Sequence, residues 1–290
     1  MEINNIIWQA KYTKKKNWLK ASKILEEAIK DHPKEPKLYI ELANIYNQKK
    51  LYRKGVEYLE KAYDLDKFND KVKFKLGNTL LALGEHKLSV NFYDLMQTIF
   101  PEAEYNKAIA LSKMGKYEES VECLEELINI KANSPLPYYL LAEQYFILKD
   151  FEKAISLLKV VEKKFGKNKK IHYLRGLNFF YQKNWLKAYL EFTEAAKMNM
   201  KGSNFQRMFG MASEKIGKMS QAIEYYFKSL KSDPFDANNY LQLIQLFIKM
   251  EKIDEAWKLL KKAEKLLPMS PTLIVIKHQL LTLKNKNKEY

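Results

Sequence analysis

A chain of 290 residues that is 47% hydrophobic carries enough apolar side chains for a large core, which excludes wholesale disorder. Its nine Gly and eight Pro are too few to punctuate the many tight turns of an all-β fold, whereas Ala, Leu, Lys and Glu suit helices. The net charge of +16 is lysine-borne: only Arg53, Arg175 and Arg207 offer the guanidinium fork favoured in phosphate and base recognition, so nucleic acid is not the expected partner.

From the amino terminus, residues 1–12 lack the basic segment, long apolar run and small-residue cleavage site of a secretion signal. They open a first helical hairpin over 2–35, in which Trp18 stands three places before Ala21. The same large-then-small pair recurs as Tyr52/Gly55 in 36–69, His86/Ser89 in 70–100 and Tyr117/Ser120 in 101–134. It continues as Phe151/Ala154 in 135–168, Trp185/Ala188 in 169–202, Met219/Ala222 in 203–236 and Ile253/Ala256 in 237–270. Every interval is 34 residues except the third, which is 31, so the periodicity is a structural repeat. After Pro271 an unpaired helix over 271–284 is expected to cap the apolar end with a polar outer face, and residues 285–290 are expected to be a disordered tail.

Other columns keep the register. Large residues follow the small one by four places (Leu25, Leu59, Tyr93, Leu124, Leu158, Phe192, Tyr226 and Leu260), and Ala43, Gly77, Ala108, Ala142, Gly176 and Gly210 precede it by twelve. Small residues let two antiparallel helices approach, large ones fill the space around the contact, and stacking of hairpins supplies the core. The 31-residue interval is expected to shorten the first turn of the fourth repeat near residues 100–102, and Gly202 marks a candidate hinge.

This pattern resembles the tetratricopeptide repeat family over about residues 2–269. The resemblance implies an all-α, right-handed α-solenoid of about eight helix hairpins. It also implies a non-enzymatic protein-interaction scaffold whose first helices line a concave groove. On that basis the fifth position of each repeat puts Phe74, Tyr105, Tyr139 and Tyr173 in a ladder, with Phe146 and Phe180 beside it. Asn44, Asn78, Asn106 and Glu143 are placed to bond a bound peptide's backbone. The same aromatics could instead pack on the next repeat and thicken the core, and the residues alone leave both readings open. The family's carboxylate clamp is excluded, because Phe74, Leu136 and Leu140 stand where its cations belong.

No catalytic constellation, metal-ligand spacing or phosphate loop is present, so neither an enzyme nor a cofactor is expected. Glu26, Glu27, Glu125 and Glu126 read as solvated faces, and the lysines around Gly166 as a solvated connection. Cys123 is the only cysteine and reads as a small buried thiol. No run of eighteen apolar residues could span a membrane, and a cytoplasmic location is expected. The other functional reading is a lysine-rich module that meets an acidic partner or nucleic acid.

Overall fold

The apolar stripes found by spacing fold as α-helices in a computed structural model that describes residues 2–98, 100–130 and 133–286. Among these residues there is no strand, and the helices divide between two compact units, Met1–Leu148 and Lys149–Tyr290. Unit 1 holds α1 (Ile3–Lys14), α2 (Trp18–Asp31), α3 (Pro36–Gln48), α4 (Tyr52–Leu65), α5 (Asp70–Leu83), α6 (His86–Asp94), α7 (Pro101–Lys113), α8 (Tyr117–Asn129) and α9 (Leu136–Ile147). Unit 2 holds α10 (Phe151–Phe165), α11 (Lys169–Tyr181), α12 (Trp185–Lys197), α13 (Ser203–Lys215), α14 (Met219–Ser232), α15 (Ala237–Lys249), α16 (Ile253–Leu266) and α17 (Pro271–Lys286). Within each unit every helix packs on the next. Odd-numbered helices also pack on one another, as α5 does on α7 and α13 on α15. The fold is thus an all-α helical repeat, and within each unit the first helices of the hairpins form one row.

The two small-and-large columns prove to be paired by volume. A Cβ on Gly77 would lie 2.4 Å from the Tyr93 ring, one on Gly176 2.4 Å from the Phe192 ring, and one on Gly210 2.7 Å from the Tyr226 ring. Where the first helix carries alanine instead, at Ala43 and Ala108, the second carries Leu59 and Leu124, and all four are buried. These pairs keep the total volume nearly constant, as a close-packed core requires. Where serine replaces alanine in the second helix, its hydroxyl is satisfied across the hairpin. Ser89 donates to the Gly77 carbonyl at 2.8 Å and Ser120 to the Ala108 carbonyl at 2.9 Å.

From the second repeat on, the turn between the two helices of a repeat shares one feature. The fifteenth residue of the second to eighth repeats is left-handed: Lys50, Gly84, Gly115, Lys149, Lys183, Gly217 and Glu251 have φ between 58° and 92°. The three glycines adopt this without a Cβ penalty. The three lysines and the glutamate do so under strain.

The missing three residues fall elsewhere than expected. α7 keeps thirteen residues from Pro101, whereas α6 ends after nine, against thirteen to fifteen in the other second helices. The reason is a long-range carboxylate. Asp70, at the start of α5, accepts the backbone N–H groups of Gln97 at 3.0 Å and Thr98 at 2.7 Å, drawing the chain aside one turn early. Lys73, buried beneath, pairs with Asp70 at 3.0 Å and donates to the Leu95 carbonyl at 2.9 Å. Burial alone would raise the Asp70 pKa, but the Lys73 bond and the two amides outweigh it and bring it to about 2.

At the far end, α17 seats Leu273, Ile276 and Leu280 against Leu243, Ile244 and Leu260. It runs two residues past the expected 284, to Lys286, and residues 287–290 of the expected tail lie outside the described residues. Its outer face differs from the polar one expected, since Ile274, Val275 and Leu281 are exposed. Apolar residues at 273–276 and again at 280–281 leave no clean stripe, so burying one set exposes the other. Gly202 (φ 118°) caps α13, and the turn is pinned by the Ser229 hydroxyl donating to the Ser203 carbonyl at 3.0 Å.

Candidate functional site

The aromatic column divides by burial. Tyr139 and Phe180 are 8% and 6% exposed and belong to the cores of their units. Phe74 is half-buried against Tyr93 and Phe100, and Tyr173 against Phe192 and Phe205. Phe146 is half-buried as well. Much of the column therefore packs between repeats, because a large fifth-position ring reaches the next hairpin.

Tyr105 has open space in front of it. With Pro101, Leu127, Leu136 and Pro137 it lines a cavity of about 280 Å³ between the starts of α7 and α9, to which Asn133 and Ser134 add polar groups. Leu136 is 54% exposed. Burial, and then the charge of Glu143, push the Tyr105 phenol above its ordinary pKa, so these two expected site residues are neighbours.

The amides already have internal partners. Asn106 donates to Asn78 Oδ1 at 2.9 Å, the same atom that accepts the Tyr93 hydroxyl at 2.7 Å. Burial lifts the Tyr93 phenol to about 12. Asn44 accepts from Lys75 at 2.9 Å. These bonds tie one first helix to the next.

Two glutamates expected to be solvated faces join repeats instead. Glu26 accepts the Tyr46 hydroxyl at 2.9 Å, and Glu125 accepts that of Tyr145. Both carboxylates occupy the twenty-fifth position of a repeat and both tyrosines the eleventh of the next. Read down the chain, the twenty-fifth column is Glu26, Glu60, Asp94 and Glu125 in unit 1, then Lys159, Thr193, Phe227 and Lys261 in unit 2. Phe227 is its only apolar member; it meets Phe247 of the next repeat at 6.5 Å yet is 49% exposed. Glu26 and Glu125 read in the sequence as solvated faces, and the column they share with Phe227 is visible only when the twenty-fifth position is read down all eight repeats.

Charge divides in the same way. Unit 1 has 23 Lys+Arg against 21 Asp+Glu, net +2, whereas unit 2 has 28 against 14, net +14. Lys163, Lys164, Lys167 and Lys169 around Gly166 are exposed. Cys123 is buried beside Glu104, and burial first and that carboxylate second push its thiol to about 12. Among the described residues no group of three or more His, Cys, Asp or Glu is arranged to hold a metal ion, and no helix is long and apolar enough to cross a membrane.

Comparison with known proteins agrees with this architecture. A tetratricopeptide repeat model matches residues 36–69, and a model of anaphase-promoting complex (cyclosome) subunit 3 matches residues 113–195. A TPR repeat-containing protein of Methanocaldococcus jannaschii is 26% identical over 144 residues, 49% of this chain and only 25% of that protein. A tetratricopeptide repeat protein from Parabacteroides merdae superposes with a TM-score of 0.66 at 12% identity, covering 84% of this chain and 98% of that one. The Cut9–Hcn1 hetero-tetramer of the APC/C gives 0.64 at 15% identity, over 91% of this chain and 53% of that chain. Repeat proteins of this type generally mediate protein–protein interactions and are typically non-enzymatic. With the 34-residue period, the paired helices and the left-handed turn at one repeat position all in place, the chain has the tetratricopeptide repeat fold, and these matches support a tetratricopeptide repeat protein.

Proposed function

We propose that this chain is a non-catalytic scaffold that holds a peptide or helix of another protein along its row of first helices, anchored in unit 1 beside Tyr105. The supporting observation is the cavity lined by Pro101, Tyr105, Leu127, Leu136 and Pro137, which is apolar, open and large enough for one bulky side chain. Burying such a side chain there is worth about 2 kcal/mol. Tyr105 supplies a flat apolar body with a hydroxyl tip, suited to gripping a peptide. Of the expected ladder, Phe74 is a half-buried member of the same unit, whereas Tyr173 belongs to unit 2. Tyr139 is buried in the same unit, Phe180 belongs to the core of unit 2, and Asn44, Asn78, Asn106 and Glu143 lie on the first helices of unit 1.

A photo-crosslinking residue in place of Leu136, in the full chain and in lysate of the source cell, tests the reading. One dominant protein should be captured, and Tyr105→Ala should cut the yield at least fivefold with an unchanged melting temperature. Equal capture by Tyr105→Ala would overturn it. So would a steep fall in melting temperature with capture intact, which would make Tyr105 a core residue.

A further inference from the structure

Unit 2 carries a second surface with a different chemistry. Phe227 and Leu266, both exposed, overhang a cavity of about 350 Å³ whose floor includes the buried Tyr240 and Leu259. Every other repeat places a charged or hydroxyl-bearing residue where Phe227 stands, so an aromatic ring here is particular to one repeat join. The only charged groups in its lining are Lys231 on α14 and Lys262 on α16. No carboxylate lies within 4 Å of either among the described residues, whereas nearby Lys228 and Lys277 are matched by Glu224 and Glu264. An apolar opening flanked by two unmatched cations, in a unit of net charge +14, is complementary to an apolar group with negative charge on both sides.

We propose that this cavity is a docking site for an acidic segment of another protein, one large apolar side chain entering beside Phe227 while flanking carboxylates meet Lys231 and Lys262. The two lysines leave different helices, so they stand on separate walls. Carboxylates on either side of one anchor match that arrangement, whereas a fatty acid brings a single carboxylate at one end. A half-exposed aromatic ring over a partly desolvated floor is the usual form of an anchor point. The site is independent of Tyr105.

Fluorescence anisotropy with the full chain and labelled synthetic peptides tests it. The probe is a short peptide with one central phenylalanine between glutamates, compared with the same peptide carrying alanine at the centre. The phenylalanine peptide should bind, and the alanine version should bind at least about tenfold more weakly. Phe227→Thr, which restores the residue type of the preceding repeat, should weaken binding about tenfold, as should Lys231→Glu with Lys262→Glu. Phe227→Leu should retain binding, and thermal melting should show every variant folded. Lys167→Glu with Lys169→Glu makes the same charge change elsewhere in the unit and should alter affinity less than twofold, as should Tyr105→Ala. Indifference to the central residue or to Phe227, or an equal loss from the Lys167/Lys169 pair, would overturn the proposal. Displacement of the peptide by oleate or by a single-stranded oligonucleotide at equal concentration would overturn it too, by assigning the cavity to a lipid or the charge to nucleic acid.

Discussion

The two units are built on one repeat but close their joins with different chemistry. In unit 1 the twenty-fifth column is acidic throughout, and two of its carboxylates accept tyrosine hydroxyls from the next repeat. In unit 2 that column has no acid, and the unit holds nearly all of the chain's excess positive charge. A repeat fold requires its small and large columns but leaves the joins free. The joins are therefore where two halves of one array can acquire different surfaces without changing backbone.

The sharpest way to break the comparison is to remove a carboxylate that unit 1 cannot spare. Asp70→Asn leaves the Lys73 ammonium, 4% exposed at its side chain, without its counter-charge, at a cost of about 3 kcal/mol. Hydrogen exchange should show the loss confined to amides of unit 1. The same residue sets a pH dependence. Its carboxyl titrates at about 2 in the folded chain and near 4 when unfolded, so the stability it contributes is whole above about pH 4 and is lost as pH falls through about 2. An acid titration followed by exchange should show the protection of α5 and residues 95–98 declining across that window, and Asp70→Asn should abolish the decline.

Next in size is the volume pairing. Gly176→Ala places a methyl against the Phe192 ring and should cost about 2 kcal/mol by chemical denaturation. Adding Phe192→Leu reproduces the pairing of Ala43 with Leu59 and should return most of that loss, so the double variant will be more stable than the sum of the singles. If the losses simply add, the two columns are not coupled. Smaller again, Tyr46→Phe removes the hydroxyl that Glu26 accepts and should cost about 1 kcal/mol, whereas Thr193→Ala, in the corresponding column of unit 2, should be nearly neutral. Smallest is Lys183→Gly, which relieves a left-handed lysine at φ 61° and should raise stability by about 0.5 kcal/mol.

The repeat, its period and the two helices of each hairpin were legible in the sequence because they rest on spacing, which is local. The position of the shortened helix was not. Leu95 and Met96 continue an apolar helical pattern, and what diverts them is Asp70, twenty-five residues earlier. Site residues were legible only as a column. Tyr105 and Tyr139 occupy the same repeat position, but one faces a cavity beside Leu136 while the other is 8% exposed. That contrast depends on which residues the neighbouring hairpin presents. The twenty-fifth column is equally readable, but its importance lies in contacts with the next repeat, Glu26 with Tyr46 and Phe227 with Phe247, which spacing does not show.

The glycine–aromatic and alanine–leucine hairpins also bear on how such an array changes over generations. A lineage moving from one pairing to the other must alter two residues, and the order matters. Changing glycine first puts a methyl group where a ring already sits. Shrinking the ring first leaves a hole that the neighbours can partly relax into. The passable route therefore runs through the hollow intermediate, and a hairpin with glycine opposite leucine would be the trace of a lineage caught in transit.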